Sequence, residues 1–102
     1  MRKRRGGIAA ATIDGRIVVA GGEEAAGTIG EVEAYEPEGR RWRYLPRLPT
    51  PRHGLGVVIV PATKALDAAR NLVTTPARLL VLAGGPTPGG SQTAVCEAMD
   101  LP

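Results

Sequence analysis

The chain has 102 residues, 43% of them apolar but only 3% aromatic, which allows one small domain whose core must come from Val, Ile, Leu and Ala. Its formal charge of +3 is the balance of thirteen Lys and Arg against ten Asp and Glu, too mild to select a polyanionic partner. A single cysteine, Cys96, excludes an internal disulfide framework and a cysteine-built zinc site, and no apolar run reaches the roughly 20 residues of a membrane span.

The chain opens Met1-Arg-Lys-Arg-Arg-Gly-Gly7, without the apolar stretch that a secretory signal places after its basic start. A cytoplasmic protein is therefore expected, and the basic cluster at residues 2–5 reads as a solvated chain end before it reads as a nuclear signal. Residues 7–13 are small and apolar, Asp14-Gly15 is a strong two-residue hairpin turn, and residues 16–20 form a second strand that ends on Gly21-Gly22. A polar, glycine-containing loop follows over 23–30. Residues 31–36 then alternate charged and apolar as a half-buried strand does, Pro37-Glu-Gly39 turns the chain, and residues 40–45 give an outer strand. Four short antiparallel strands make one blade-sized sheet that cannot cover both its faces alone.

The order then repeats. Arg52-His-Gly54 and the apolar run after it mirror Arg5-Gly-Gly7 and its strand at a separation of 47 positions, while Gly84-Gly85 follows Gly21-Gly22 by 63 and Glu97-Ala-Met-Asp100 follows Glu33-Ala-Tyr-Glu36 by 64. Three landmarks in one order make a repeat of natural period near 47, interrupted in its second unit by an insertion at about residues 62–76. Within the insertion, Thr63 as a cap and apolar residues at 65, 66, 69 and 72 predict a short helix.

These motifs resemble the kelch family, whose repeat runs Arg-x-Gly, a small-apolar strand, a turn, an apolar strand ending Gly-Gly, then Val-Glu-x-Tyr-acidic-Pro and Trp. The matching residues are Arg5, Gly7, Asp14, Gly15, Gly21, Gly22, Val32, Glu33, Tyr35, Glu36, Pro37 and Trp42. The resemblance implies an all-β fold of two antiparallel kelch blades from an incomplete β-propeller, with residues 1–49 as the first repeat and 50–102 as a second, degenerate one. Met99 and Leu101 stand where Tyr35 and Pro37 do, and no second tryptophan follows. Since repeat units generally need at least about three neighbours in a row to be stable, the expectation is a piece of a longer propeller, or a unit that self-associates when expressed alone. Glycine at Gly21, Gly22, Gly84 and Gly85 is expected to let the backbone turn and come close to the next blade. Tyr35 and Trp42, seven apart across a turn, are expected to meet on adjacent strands in a structural role between blades.

The resemblance also implies function. Kelch propellers are commonly protein-binding platforms, including cytoskeletal scaffolds and substrate adaptors of ubiquitin ligases, and some are carbohydrate-active oxidases or epimerases. Nothing in the 102 residues resembles the BTB domain of the adaptors, so a ligase role would rest on sequence elsewhere. One histidine and one cysteine supply neither a Ser-His-Asp grouping nor a set of metal ligands, so neither catalytic residues nor a cofactor are expected. Nucleic acid is not expected either: in Arg40-Arg-Trp-Arg-Tyr44, strand alternation sends Arg41 and Arg43 to the face opposite Trp42 and Tyr44. The expected partner is a protein. In a kelch arrangement the loop after each Gly-Gly and the linker into each first strand share one end of the propeller, which nominates Glu23, Glu24, Thr28, Arg52, His53, Thr87, Ser91 and Gln92 as contacts. Arg52 is foremost among them: its guanidinium suits an acidic peptide, with a bond to a carbonyl of its own chain as the alternative.

Overall fold

A computed structural model describes residues 1–2, 4–87 and 90–101. Among them all regular structure is β. The strands β1 (Ala9–Ile13), β2 (Arg16–Ala20), β5 (Val32–Glu36) and β6 (Arg41–Leu45) form one antiparallel sheet in the order β1-β2-β5-β6, and β7 (Gly56–Val60), β10 (Arg78–Leu82) and β11 (Glu97–Asp100) form a second, in the order β11-β10-β7. Both are meanders read outward from a first strand, the form of partial kelch propeller blades, and β1 lies beside β7. Asp14 (φ 50°) and Gly15 (φ 73°) take the left-handed conformation a tight hairpin turn requires, so the register Ile13↔Arg16 follows from the turn.

Strand alternation fixes which face each sheet buries. Ala9, Val18, Ala20, Val32, Ala34 and Leu45 share one face of the first sheet; Val57, Ile59, Leu79, Val81 and Met99 share one face of the second, and with Leu48, Leu55 and Leu101 these form a single core. The two sheets are also stitched by backbone: Gly22 N–H donates to the Arg52 carbonyl at 2.8 Å and Gly54 N–H to the Gly7 carbonyl at 2.6 Å.

The sequence expectations need three corrections. The insertion is not a helix: β8 (Thr63–Leu66) and β9 (Leu72–Thr75) pair as a hairpin. Asp67 nucleates its turn by accepting from Ala69 N–H and Asn71 N–H, Arg70 takes φ 64°, and the β-branched Val73-Thr74-Thr75 run favours strand over the alanine periodicity. The loop after Gly22 is not irregular throughout, since β3 (Glu23–Glu24) and β4 (Gly27–Thr28) form a two-residue ladder.

The third correction concerns the glycine pairs. Gly6 exchanges backbone bonds with Glu23, and His53 exchanges the same pair of bonds with Gly85. His53 therefore corresponds to Gly6 and Gly85 to Glu23, which puts Gly84 at the place of Gly22 and Ala83 at the place of Gly21. The backbone agrees: Gly21 and Gly22 have φ of 70° and 111°, Ala83 and Gly84 of 59° and 88°, while Gly85 is not among the positive-φ residues. The spelling Ala-Gly-Gly recurs one residue out of structural step.

Candidate functional site

The end of the sheets at which β2 and β10 finish gathers most of the nominated residues. His53 Nε2 lies 2.8 Å from the Thr87 carbonyl and 3.7 Å from a Glu23 carboxylate oxygen. Thr28 Oγ1 donates to the Pro86 carbonyl at 2.9 Å, tying the loop after β2 to the loop after β10 across 58 residues of sequence. Ser91 Oγ donates to the Thr87 carbonyl at 2.5 Å and accepts from Thr87 N–H at 3.1 Å. Gln92 is exposed, and with His53, Gly85, Ser91 and Thr93 it lines an open depression at this end. Glu24 is exposed on the β3–β4 hairpin, and its position in the ladder places it beyond Glu23. Residues 88 and 89, between Thr87 and Ser91, lie outside the described residues.

Arg52 belongs elsewhere. It is fully buried, and its guanidinium donates to the carbonyls of Ala83 (3.0 Å), Val95 (2.6 Å) and Thr50 (3.3 Å) and to the carboxylate of Glu97. No partner carboxylate can reach a guanidinium so enclosed and so fully engaged, so the leading contact residue is removed from the surface and the own-chain alternative holds. Arg5 makes the same clamp in the first unit, donating to the carbonyls of Gly21 (3.0 Å) and Glu31 (2.7 Å) and to the carboxylate of Glu33, with both side chains fully buried. Each acceptor has its counterpart: Gly21 with Ala83, Glu31 with Val95, Glu33 with Glu97. In each unit an arginine from the entering linker ties the end of the second strand to the third, and a carboxylate neutralises it where water cannot.

Tyr35 and Trp42 stand directly opposite one another on β5 and β6 with ring centroids 5.0 Å apart, and strand alternation puts them on the face turned away from the second sheet. On the other side of the strand Arg41 and Arg43 pair with Glu36, at 3.0 and 3.2 Å. The bond from Arg41, and the charges of Arg41, Arg43 and Arg16, hold the Glu36 carboxyl below the usual glutamate range.

A face-to-face pair of short meanders, an arginine clamp repeated in each, and a glycine pair closing the second strand are the features that a family comparison has to explain. Residues 4–49 match the model described as the Kelch motif. The first unit is a kelch repeat. The matched span runs from the linker that carries Arg5, through all four strands of the first sheet, to Pro49. The second unit follows the kelch plan by its own geometry, in the Arg52 clamp, the His53–Gly85 bridge and the left-handed pair Ala83-Gly84.

The clamp glutamates were visible only as repeat landmarks in sequence. Their task depends on carbonyls that lie 16 to 43 residues from the arginines, and only the fold brings these together.

Proposed function

We propose that this chain is a protein-binding module, part of a kelch propeller scaffold or substrate adaptor, and that it engages a peptide segment through the loop end carrying Glu23, Glu24, Thr28, His53, Thr87, Ser91 and Gln92. The observation that carries the reading is the bond from Thr28 Oγ1 to the Pro86 carbonyl, which joins the loops of two separate units into one polar surface together with the contact of His53 to Thr87. Rigid sheets holding loops at one end are the usual way a scaffold presents recognition residues.

With Arg52 withdrawn into its clamp, an acidic peptide loses the cation that would have selected it. Backbone carbonyls, hydroxyls and the Gln92 amide favour a partner held by hydrogen bonds, with Glu23 and Glu24 favouring basic over acidic neighbours. The cytoplasm is the compartment in which we place this contact. The test is quantitative cross-linking of proteins captured by the wild-type chain and by Thr87→Lys/Gln92→Lys, two exposed positions outside the clamp. Loss of the captured set, at unchanged thermal stability, is expected; an unchanged set would remove this end as the contact surface.

A further inference from the structure

We propose that the chain assembles head to tail with copies of itself, the outer face of the second unit receiving the aromatic face of the first unit of another copy. The contact rests on sheet faces, with Gly54, Ala83 and Gly84 at its edge, which also line the depression beside Gln92; its test reads association of the chain with itself, so its failure is distinguishable from failure of the peptide-binding reading.

The contact between the two units within one chain is the template. The first unit offers Val18, Ala20 and Ala34 to the shared core, with Ala11 on the same face by register; the second lays Val57, Ile59, Leu79, Val81 and Met99 against that side. Pairing register and the clamp equivalence map each set onto the other unit. The counterparts of Ala11, Val18, Ala20 and Ala34 are Val58, Leu80, Leu82 and Ala98, an apolar face on which Val58 is 51% and Leu82 38% exposed. The counterparts of Leu79 and Met99 are Ile17 and Tyr35, where Leu79 is fully buried but Ile17 is 37% exposed beside the Tyr35–Trp42 pair.

One chain thus carries both halves of the same contact on opposite sides, exposed at Val58 and Leu82 on the second unit and at Ile17 on the first, where Val19 is already buried and Arg2 lies over Tyr44 at the far side of the face. Such a heterologous contact propagates from copy to copy and can close into a ring. About three or four two-unit copies would fall within the roughly four to eight blades of known propellers.

Polar groups repeat the complementarity. The bonds that stitch the units run from Gly22 N–H to the Arg52 carbonyl and from Gly54 N–H to the Gly7 carbonyl. Their counterparts at the joint between copies are the Gly84 N–H with an Arg5 carbonyl, and a Gly7 N–H with the Gly54 carbonyl. None of these four groups takes a backbone partner among the described residues.

One residue sets this joint apart from the internal one. A Cβ at Gly21 would stand 2.5 Å from the Arg52 carbonyl oxygen and 2.9 Å from Leu55 Cδ2, so the close approach needs glycine there. At the joint between copies that place is held by Ala83, whose methyl group meets the incoming Arg5 carbonyl and Ile8. Ala83 therefore keeps the assembly looser than the intrachain contact.

The experiment is sedimentation of the full 102-residue chain across concentration, with Ile17→Glu, Val58→Glu and Ala83→Gly. Concentration-dependent association is expected for the wild type. Each glutamate variant blocks one face and should be monomeric, yet their 1:1 mixture should form a dimer, because each supplies the face the other lacks. Ala83→Gly, which risks nothing in folding, should tighten the dissociation constant at least tenfold. A wild type that stays monomeric, a glutamate variant that still associates, a mixture that yields no dimer, or an Ala83→Gly affinity equal to wild type would each overturn the proposal.

Discussion

Replacing Arg52 by methionine keeps much of the side-chain volume and removes the guanidinium from its clamp. Three carbonyls, of Thr50, Ala83 and Val95, lose the Arg52 donor, and among the described residues the Glu97 carboxylate keeps only the Thr50 hydroxyl at 3.1 Å. Breaking a buried pair by removing one partner costs about 3–5 kcal/mol, here through three carbonyls left without their donor and a Glu97 carboxylate, its side chain 17% exposed, left without its counter-ion. A domain of this size has about 5–15 kcal/mol in total, so the variant should be close to unfolding. With a urea dependence of about 2 kcal/mol per M, the unfolding midpoint should fall by roughly 1.5–2.5 M. The control is Arg41→Ala, which removes an exposed arginine from Glu36 and should move the midpoint far less. A second control is Arg52→Met/Glu97→Met, which removes both charges and should recover part of the loss. If Arg52→Met shifts the midpoint no more than Arg41→Ala, the clamp does not hold the second unit together and the argument fails.

Other outcomes follow from the same geometry. Gly21→Ala forces a methyl group against the Arg52 carbonyl at a φ of 70° and should cost about 1–3 kcal/mol by urea unfolding, with loss of contact between the units. Glu36 should titrate below the usual glutamate range in a carboxyl-carbon NMR titration, and Arg41→Ala should raise its midpoint. Because its folded pKa is the lower one, Glu36 favours the folded state above the unfolded glutamate pKa, and that contribution disappears as the pH falls through the depressed value. Excising residues 62–76, with Asn-Gly in place of Pro61 and Ala77 as a two-residue turn between the paired Val60 and Arg78, should change stability by less than about 1 kcal/mol, since β8 and β9 pair mainly with each other and Leu66 and Leu72 are exposed.

What the sequence made legible were features written in neighbouring residues. Asp14-Gly15 announced its hairpin, Pro37-Glu-Gly39 its turn, and Tyr35 and Trp42 the cross-strand pair, because turn chemistry and strand alternation act over a few positions. The match of Glu33 with Glu97 was also legible, although the reason for it, a buried arginine in need of a counter-ion, was not. Arg52 looks solvated in sequence because two of its three carbonyl acceptors, Ala83 and Val95, lie 31 and 43 residues away and only the fold brings them to it. The glycine pairs were matched by spelling, whereas the chain matches them by φ, and an alanine in the left-handed region carries no mark in the sequence. The insertion shows the limit of periodicity: alanines at helical spacing were outweighed by a turn built on one carboxylate and by the pairing of two four-residue strands.

The central claim is that the chain is two equivalent units locked face to face, and amide hydrogen exchange at Gly22 and Gly54 tests it most directly. Both N–H groups donate from one unit to a carbonyl of the other, Gly22 to Arg52 and Gly54 to Gly7, so neither can be protected by its own sheet. If the units unfold together, these two amides should exchange with the same opening free energy as the slowest amides of β2 and β10. Exchange at Gly22 and Gly54 near the free-peptide rate, while the strand amides stay protected, would mean that the units stand apart and would contradict the account.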